Sequence, residues 1–401
     1  MTALTSTVVQ AMALMLTVVV NGQPTQIPAL QHEGKVYVEA VAFAEAVGAQ
    51  ALYDQQSKRL VVVAPQAAVG TMGTAQMAGE WAVIGQQYTI NKGDPLNFTL
   101  NRAEFTVERM SVGDESVAPE GDEKLLVLHM TIQNPQSRER RLYWGELEFT
   151  AVDAMNVNRE WSQELGIEST GDPIDLDLKP AQKIDLYTAV VVPARGVVPK
   201  LIVKSGEGKV LRYDLRGMVL PLVAPFADPE DETGATALTK IVAEADVYYP
   251  MGLFDVKFEG TEFPALDGWD DPPEEGEGYV AIEIRLRNGS ADEERLYSDA
   301  FRAALRTTEG EKIEWDAEFL QASRNESVDA DLEPGDEMGA RVFFRAPAGV
   351  SLVRCEFSEG ENGRVYVLDL AGVKVPGRRA SGASVEDVID KITDSPLGGL
   401  F

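Results

Sequence analysis

Few side chains in this 401-residue chain can do acid–base or metal chemistry. There are two histidines, His32 and His129, and one cysteine, Cys355. No multi-histidine zinc site can be assembled from that set, and no intrachain disulfide can form. His129 lies on the polar side of an alternating strand, and its partner in the repeat described below is Glu283, so it reads as a surface residue. His32 falls at a turn. No G-x-S-x-G, H-E-x-x-H or G-x-x-x-x-G-K-[ST] pattern occurs. Cys355 sits in an apolar strand pattern and reads as a buried small hydrophobe. The most acidic stretch holds Asp267, Asp270, Asp271, Glu274 and Glu275. Calcium takes six to eight oxygens from such loops, but the EF-hand spacing is missing. A calcium site and a solvated acidic loop both stand as readings. Trp269 shares the loop, with Tyr248, Tyr249 and Phe263 near by in sequence. Such aromatics either contact a sugar or peptide ligand or pack in a core.

The elements that would position these residues follow from composition and patterning. Asp and Glu number 65 against 36 Lys and Arg, a formal charge of −29. That excess disfavours nucleic acid and anionic lipid as partners. Val8 to Val20 is an apolar run too short to span a bilayer, which needs about 20 residues. It reads either as part of an export signal, with Ala11-Met12-Ala13 as a cleavage-like site, or as a first buried strand. No other stretch is apolar enough to cross a membrane.

Residues 17–64 form a small α/β unit. Val18–Val20 leads into the turn Asn21-Gly22, and Gly34-Lys35 turns into Val36–Val38. Glu39–Val47 has helical apolar spacing closed by Gly48, and Gln50–Tyr53 and Leu60–Val63 read as strands. On Val20-Asn21-Gly22, Gly34-Lys35, Val38, Glu45, Gly48-Ala49, Tyr53-Asp54 and Lys58, this unit resembles the copper amine oxidase N-terminal-like (stalk) domain. The resemblance implies a secreted module and no oxidase chemistry, which belongs to a separate histidine-rich domain of that family.

The rest is dominated by self-similarity at a spacing of 154 residues. Asn134 matches Asn288, Leu142-Tyr143 matches Leu296-Tyr297, Trp161 matches Trp315, and Pro180 matches Pro334. The chain therefore divides into an export-signal-like segment (1–16), the small module (17–64), a linker (65–79), a first sandwich (80–222), an acidic linker (223–236), a second sandwich (237–376) and a tail (377–401). Each copy alternates apolar and polar residues over about seven strands, as in Leu126, Leu128, Met130 and Ile132 or Val280, Ile282, Ile284 and Leu286. That pattern predicts a mainly β fold of two tandem Ig-like sandwiches. On the strands ending at Asn134 and Asn288 and on Asp331–Gly335 with Val342–Pro347, the copies resemble the telokin-like immunoprotective extracellular domain. That resemblance implies an extracytoplasmic interaction or structural role. In the tail, Ser384 with Asp387 makes a capping box ahead of Val385, Val388, Ile389 and Ile392, predicting a short helix over 385–392.

These readings converge on a non-catalytic, secreted or envelope-attached bacterial protein without a cofactor, its partner a protein or a cell-wall polymer. The alternatives are an extracytoplasmic ligand- or calcium-sensing module built on the 267–277 loop, and a carboxylate-dependent hydrolase. None of the 65 acids is paired by any spacing rule that would place the hydrolase's two carboxylates.

Overall fold

The computed structural model describes residues 12–20, 23–32, 35–38, 50–54, 59–63, 80–206, 210–264, 274–314, 319–324 and 326–376. The expected helices at 39–47 and 385–392, the linker 65–79 and Trp315 lie outside these residues. Within the small module, Met12–Val20, Gln23–His32 and Lys35–Val38 form an antiparallel three-stranded sheet, and Gln50–Asp54 pairs with Arg59–Val63. The described part of this module is strand throughout.

The two copies are β-sandwiches. In the first, one sheet runs Gly166–Ile167, Lys183–Pro193, Glu123–Gln133, Leu96–Thr106, Val219–Leu220, with Gln87–Ile90 also paired to Leu96–Thr106. The facing sheet runs Asn158–Glu160, Glu148–Val152, Lys200–Lys204, Leu211–Asp214, Glu80–Ala82. In the second, Tyr248–Met251, Phe254–Glu262, Glu277–Asn288, Glu337–Pro347 and Phe319–Gln321 face Lys240–Ala243, Val365–Asp369, Leu352–Glu359, Phe301–Thr307 and Lys312–Glu314. Successive strand side chains point to opposite faces, and the inward ones are apolar; on the outward side Leu125, Val127 and Ala189 with Val112, and Ala281 with Leu320 and Phe343, form two further small buried clusters, so parts of the central strands are covered on both faces. The cores are aromatic. Trp161 meets Phe149 edge-on at 5.1 Å, and Phe301 stacks on Phe357 at 5.6 Å. Cys355 is buried, as its apolar strand pattern indicates.

The duplication extends to single hydrogen bonds. Asn134 Nδ2 donates to Arg138 O and Leu178 O, and Asn288 Nδ2 donates to Asp292 O and Leu332 O, all within 2.7–2.9 Å. Both asparagines are fully buried. Each copy also breaks register at the same place, beside Met130 in one and Ile284 in the other. Tyr88 and Tyr249 each accept a hydrogen bond on the hydroxyl from a backbone N–H five residues upstream, at 2.9 Å. The inward apolar side chains of the two copies form one continuous cluster.

Segment 223–236, which the sequence presents as an acidic spacer, is folded. Phe226, Ala235 and Ala237 are buried. Asp228 N–H donates to Thr236 O and Leu238 N–H to Phe226 O. The Asp231 carboxylate accepts from Thr233 and Thr236, which outweighs the effect of burial and holds it down to about 2. The acids of this segment therefore cap its own turns, and its apolar residues face inward.

Candidate functional site

Three of the buried ionisable residues, Lys124, Asp255 and Arg364, gather where the sandwiches meet. Arg109, in the loop after the strand Leu96–Thr106, crosses to the second copy. Its guanidinium donates to Gly252 O (3.1 Å) and Phe254 O (2.8 Å) and pairs with Asp255, which Arg287 also grips at 2.6 Å. Gly289 leaves the space for it, since a Cβ there would fall 1.6 Å from the Arg109 guanidinium. Arg364 makes the reverse crossing, donating to Glu123 O and Leu238 O at 2.9 Å each. Gly121 touches the 362–364 backbone, with its N–H on Asn362 O at 3.0 Å. Lys124 is fully buried and places its ammonium on the carbonyls of Ala194, Gly196 and Ala235, over the Phe105 ring. Burial pulls that ammonium down to about 8, against the pull of Asp231.

Two recesses flank this joint. One, of about 620 Å³, is lined by Arg109, Tyr248, Asp255, Arg287, Ser290 and Glu337. Arg109 and Arg287 share the one carboxylate of Asp255, and Tyr248 donates to Glu337 at 2.6 Å. The other, of about 340 Å³, holds Glu359 between Pro119 of the first copy and Leu253 of the second. Burial raises the Glu359 carboxyl to about 7; Arg109 opposes the shift and Glu294 reinforces it.

A second polar cluster surrounds His129. The residue does lie on the outward side of its strand, but it is only 8% exposed, which corrects the surface reading. The strand Gly166–Ile167 adds to the edge of the sheet and carries Glu168 over the ring. Nε2 of His129 lies 2.9 Å from Glu104, Nδ1 lies 3.0 Å from Glu168, and Arg102 approaches at 3.1 Å. Burial works against ionisation of Glu104, but the hydrogen bond to His129 and the charge of Arg102 prevail and hold it below the usual carboxylate range. The two carboxylates occupy opposite ring nitrogens, and both also reach the Arg102 guanidinium, at 3.4 Å from Glu104 and 3.9 Å from Glu168. This is an electrostatic clamp holding the 162–174 excursion to the sheet. Sequence alone did not show it, because Glu168 arrives from a strand of two residues.

The metal candidates of the acidic loop divide between described and undescribed residues. Asp267, Trp269, Asp270 and Asp271 lie outside the described residues. Glu274 and Glu275 are exposed, and Glu274 closes a turn with Glu277 through two hydrogen bonds. Of the aromatics near that loop, Tyr249 is buried against Tyr366 and Phe263 is exposed. Among the described residues no group of three or more His, Cys, Asp and Glu could hold a metal ion. Among them, too, no helix is long and apolar enough to cross a membrane.

One outward feature recurs in both copies. Arg141-Leu142-Tyr143 and Arg295-Leu296-Tyr297 lie in short two-stranded ribbons. The leucines are fully buried, while Tyr143 and Tyr297 are 45% and 46% exposed. Each arginine forks onto an aspartate of the partner strand, Asp175 or Asp329.

A family model described as a domain of unknown function, DUF4352, matches residues 257–364, within the second sandwich. No curated protein matches the chain. An uncharacterized β-sandwich protein from Clostridium difficile 630 is similar at 17% identity, over 36% of this chain and 99% of that one, with a TM-score of 0.28. The matching family is neither of the two that the residues resemble.

Proposed function

We propose that this is a non-catalytic secreted or cell-envelope protein that works by surface contact, in recognition, adhesion or assembly. The observation that carries the proposal is where the ionisable groups go. Arg109, Lys124, Arg364 and His129 are all engaged in fastening one element to another. Each is held by backbone carbonyls or carboxylates of a neighbouring element. Outward in both copies stand equivalent ribbons, each presenting a tyrosine beside an arginine–aspartate fork. Exposed tyrosines supply large contact area at low entropic cost and are favoured at binding surfaces.

An extracytoplasmic location is supported by the likeness of residues 17–63 to a secreted stalk module and of both sandwiches to telokin-like extracellular domains. Fractionation of the native host tests it: recovery from medium or cell wall is expected, and recovery from cytoplasm alone refutes it. Contact through the ribbons is tested separately. Once a binding partner is in hand, replacing Tyr143 and Tyr297 together by Ala weakens binding and leaves the melting temperature within a few degrees, because both side chains face water.

A further inference from the structure

In a chain of formal charge −29, one sheet face runs the other way. On the outward side of the second sandwich, Lys312, Arg306 and Arg354 stand directly opposite one another across three neighbouring strands. Like charges in that register repel. At the equivalent positions of the first sandwich the row reads Asn158, Val152 and Lys200, so the fold itself does not require it. Arg302 and Lys240 extend the face to five cations, against Glu314, Glu356 and Asp369, with Glu361 at the rim.

The cations are held in place. Glu356 receives Lys240 at 2.5 Å, Arg354 at 2.9 Å and Arg306 at 3.5 Å. One carboxylate thus steadies three positive side chains and neutralises only one, while Lys312 pairs with Glu314 at 2.5 Å. Beside the row, Ala304 leaves a recess of about 420 Å³ over Ala303 and Phe357, lined by Arg302 and Lys312 and by the carboxylates of Glu314, Glu356 and Glu361. Beside the cations Val365, Val367 and Val242 make an apolar shelf, with Val242 70% exposed.

We infer that this face binds an acidic polysaccharide. Arginine forks match carboxylates in bidentate fashion, and the valine shelf suits the C–H face of a sugar ring. A polyphosphate offers no such apolar face, and single-stranded nucleic acid binding uses aromatic stacking platforms, of which the outward positions of these strands have none. The sequence concealed the patch because its five cations come from four strands that are not all sequential neighbours.

The inference extends the surface-contact reading and is tested apart from it. The full chain is titrated against polygalacturonate at 20 and 300 mM NaCl, with dextran and inorganic polyphosphate as comparisons. Binding at low salt is expected, weakened at high salt by screening. Replacing Arg306 and Arg354 together by Gln lowers affinity about tenfold or more, the scale of one or two charge-assisted contacts. The exposed Lys312→Glu change gives the same direction if the double variant misfolds, and Lys200→Gln on the first sandwich leaves binding intact. The site is overturned by absence of binding at 20 mM NaCl, by full binding of the well-folded variants, or by equal binding of polyphosphate. Those results leave the fractionation test of the surface-contact reading untouched.

Discussion

Glu359 gives the sharpest test of how the two sandwiches are joined. Its carboxyl stands over Gly252, where a Cβ would collide with it, in the recess between the copies. Burial raises it from 4.5 to about 7, with Arg109 opposing and Glu294 assisting. Below pH 4.5 the folded and unfolded chains both hold the proton. Between 4.5 and 7 the unfolded chain has released it while the folded chain retains it, so stability falls as pH rises through that window and stays lower above it. At about 1.36 kcal/mol for each pH unit, the full loss is at most about 3 kcal/mol, less whatever water at the recess mouth screens. Glu359→Gln keeps the shape and removes the titration. Urea unfolding at pH 4, 6 and 8 should show the variant gaining on the parent by about 2–3 kcal/mol between the lowest and highest pH. Parallel pH profiles for parent and variant would refute the reasoning, because they would mean Glu359 ionises at its ordinary pH in the folded chain.

Three further outcomes follow from named contacts. Asn134→Ala and Asn288→Ala each remove two donated hydrogen bonds and one accepted by the amide oxygen. Calorimetry should show losses of about 3 kcal/mol for each, similar between the copies. Lys124→Met leaves the carbonyls of Ala194, Gly196 and Ala235 without their donor. Hydrogen exchange across 223–238 should rise, with a stability loss of about 3 kcal/mol, and unchanged exchange would contradict the role given to Lys124. Gly121→Ala would put a Cβ 2.6 Å from backbone atoms of Asn362, Gly363 and Arg364. Limited proteolysis should then cut between the sandwiches faster than in the parent, and an unchanged digestion pattern would show that the joint tolerates the extra atom.

Much of this protein was legible from residue order because its information is local and periodic. Alternation at Leu126–Ile132 and Val280–Leu286 marks the side of each strand that faces the main core, since strand geometry has a period of two. The spacing of 154 residues exposes the duplication, and the same residues then make the same bonds, as Asn134 and Asn288 do. With two histidines and one cysteine, the available chemistry is limited before any folding is considered. Tertiary structure alone decided the rest, because those features bring together residues far apart along the chain. Glu168 turned His129 from an outward residue into a clamped one. Buried Phe226 and Ala235 turned an acidic spacer into part of the joint. Lys240, Arg302, Arg306, Lys312 and Arg354 form a cationic face only because strand pairing sets them side by side, where charges interact through a few ångströms of space and not through their distance in sequence.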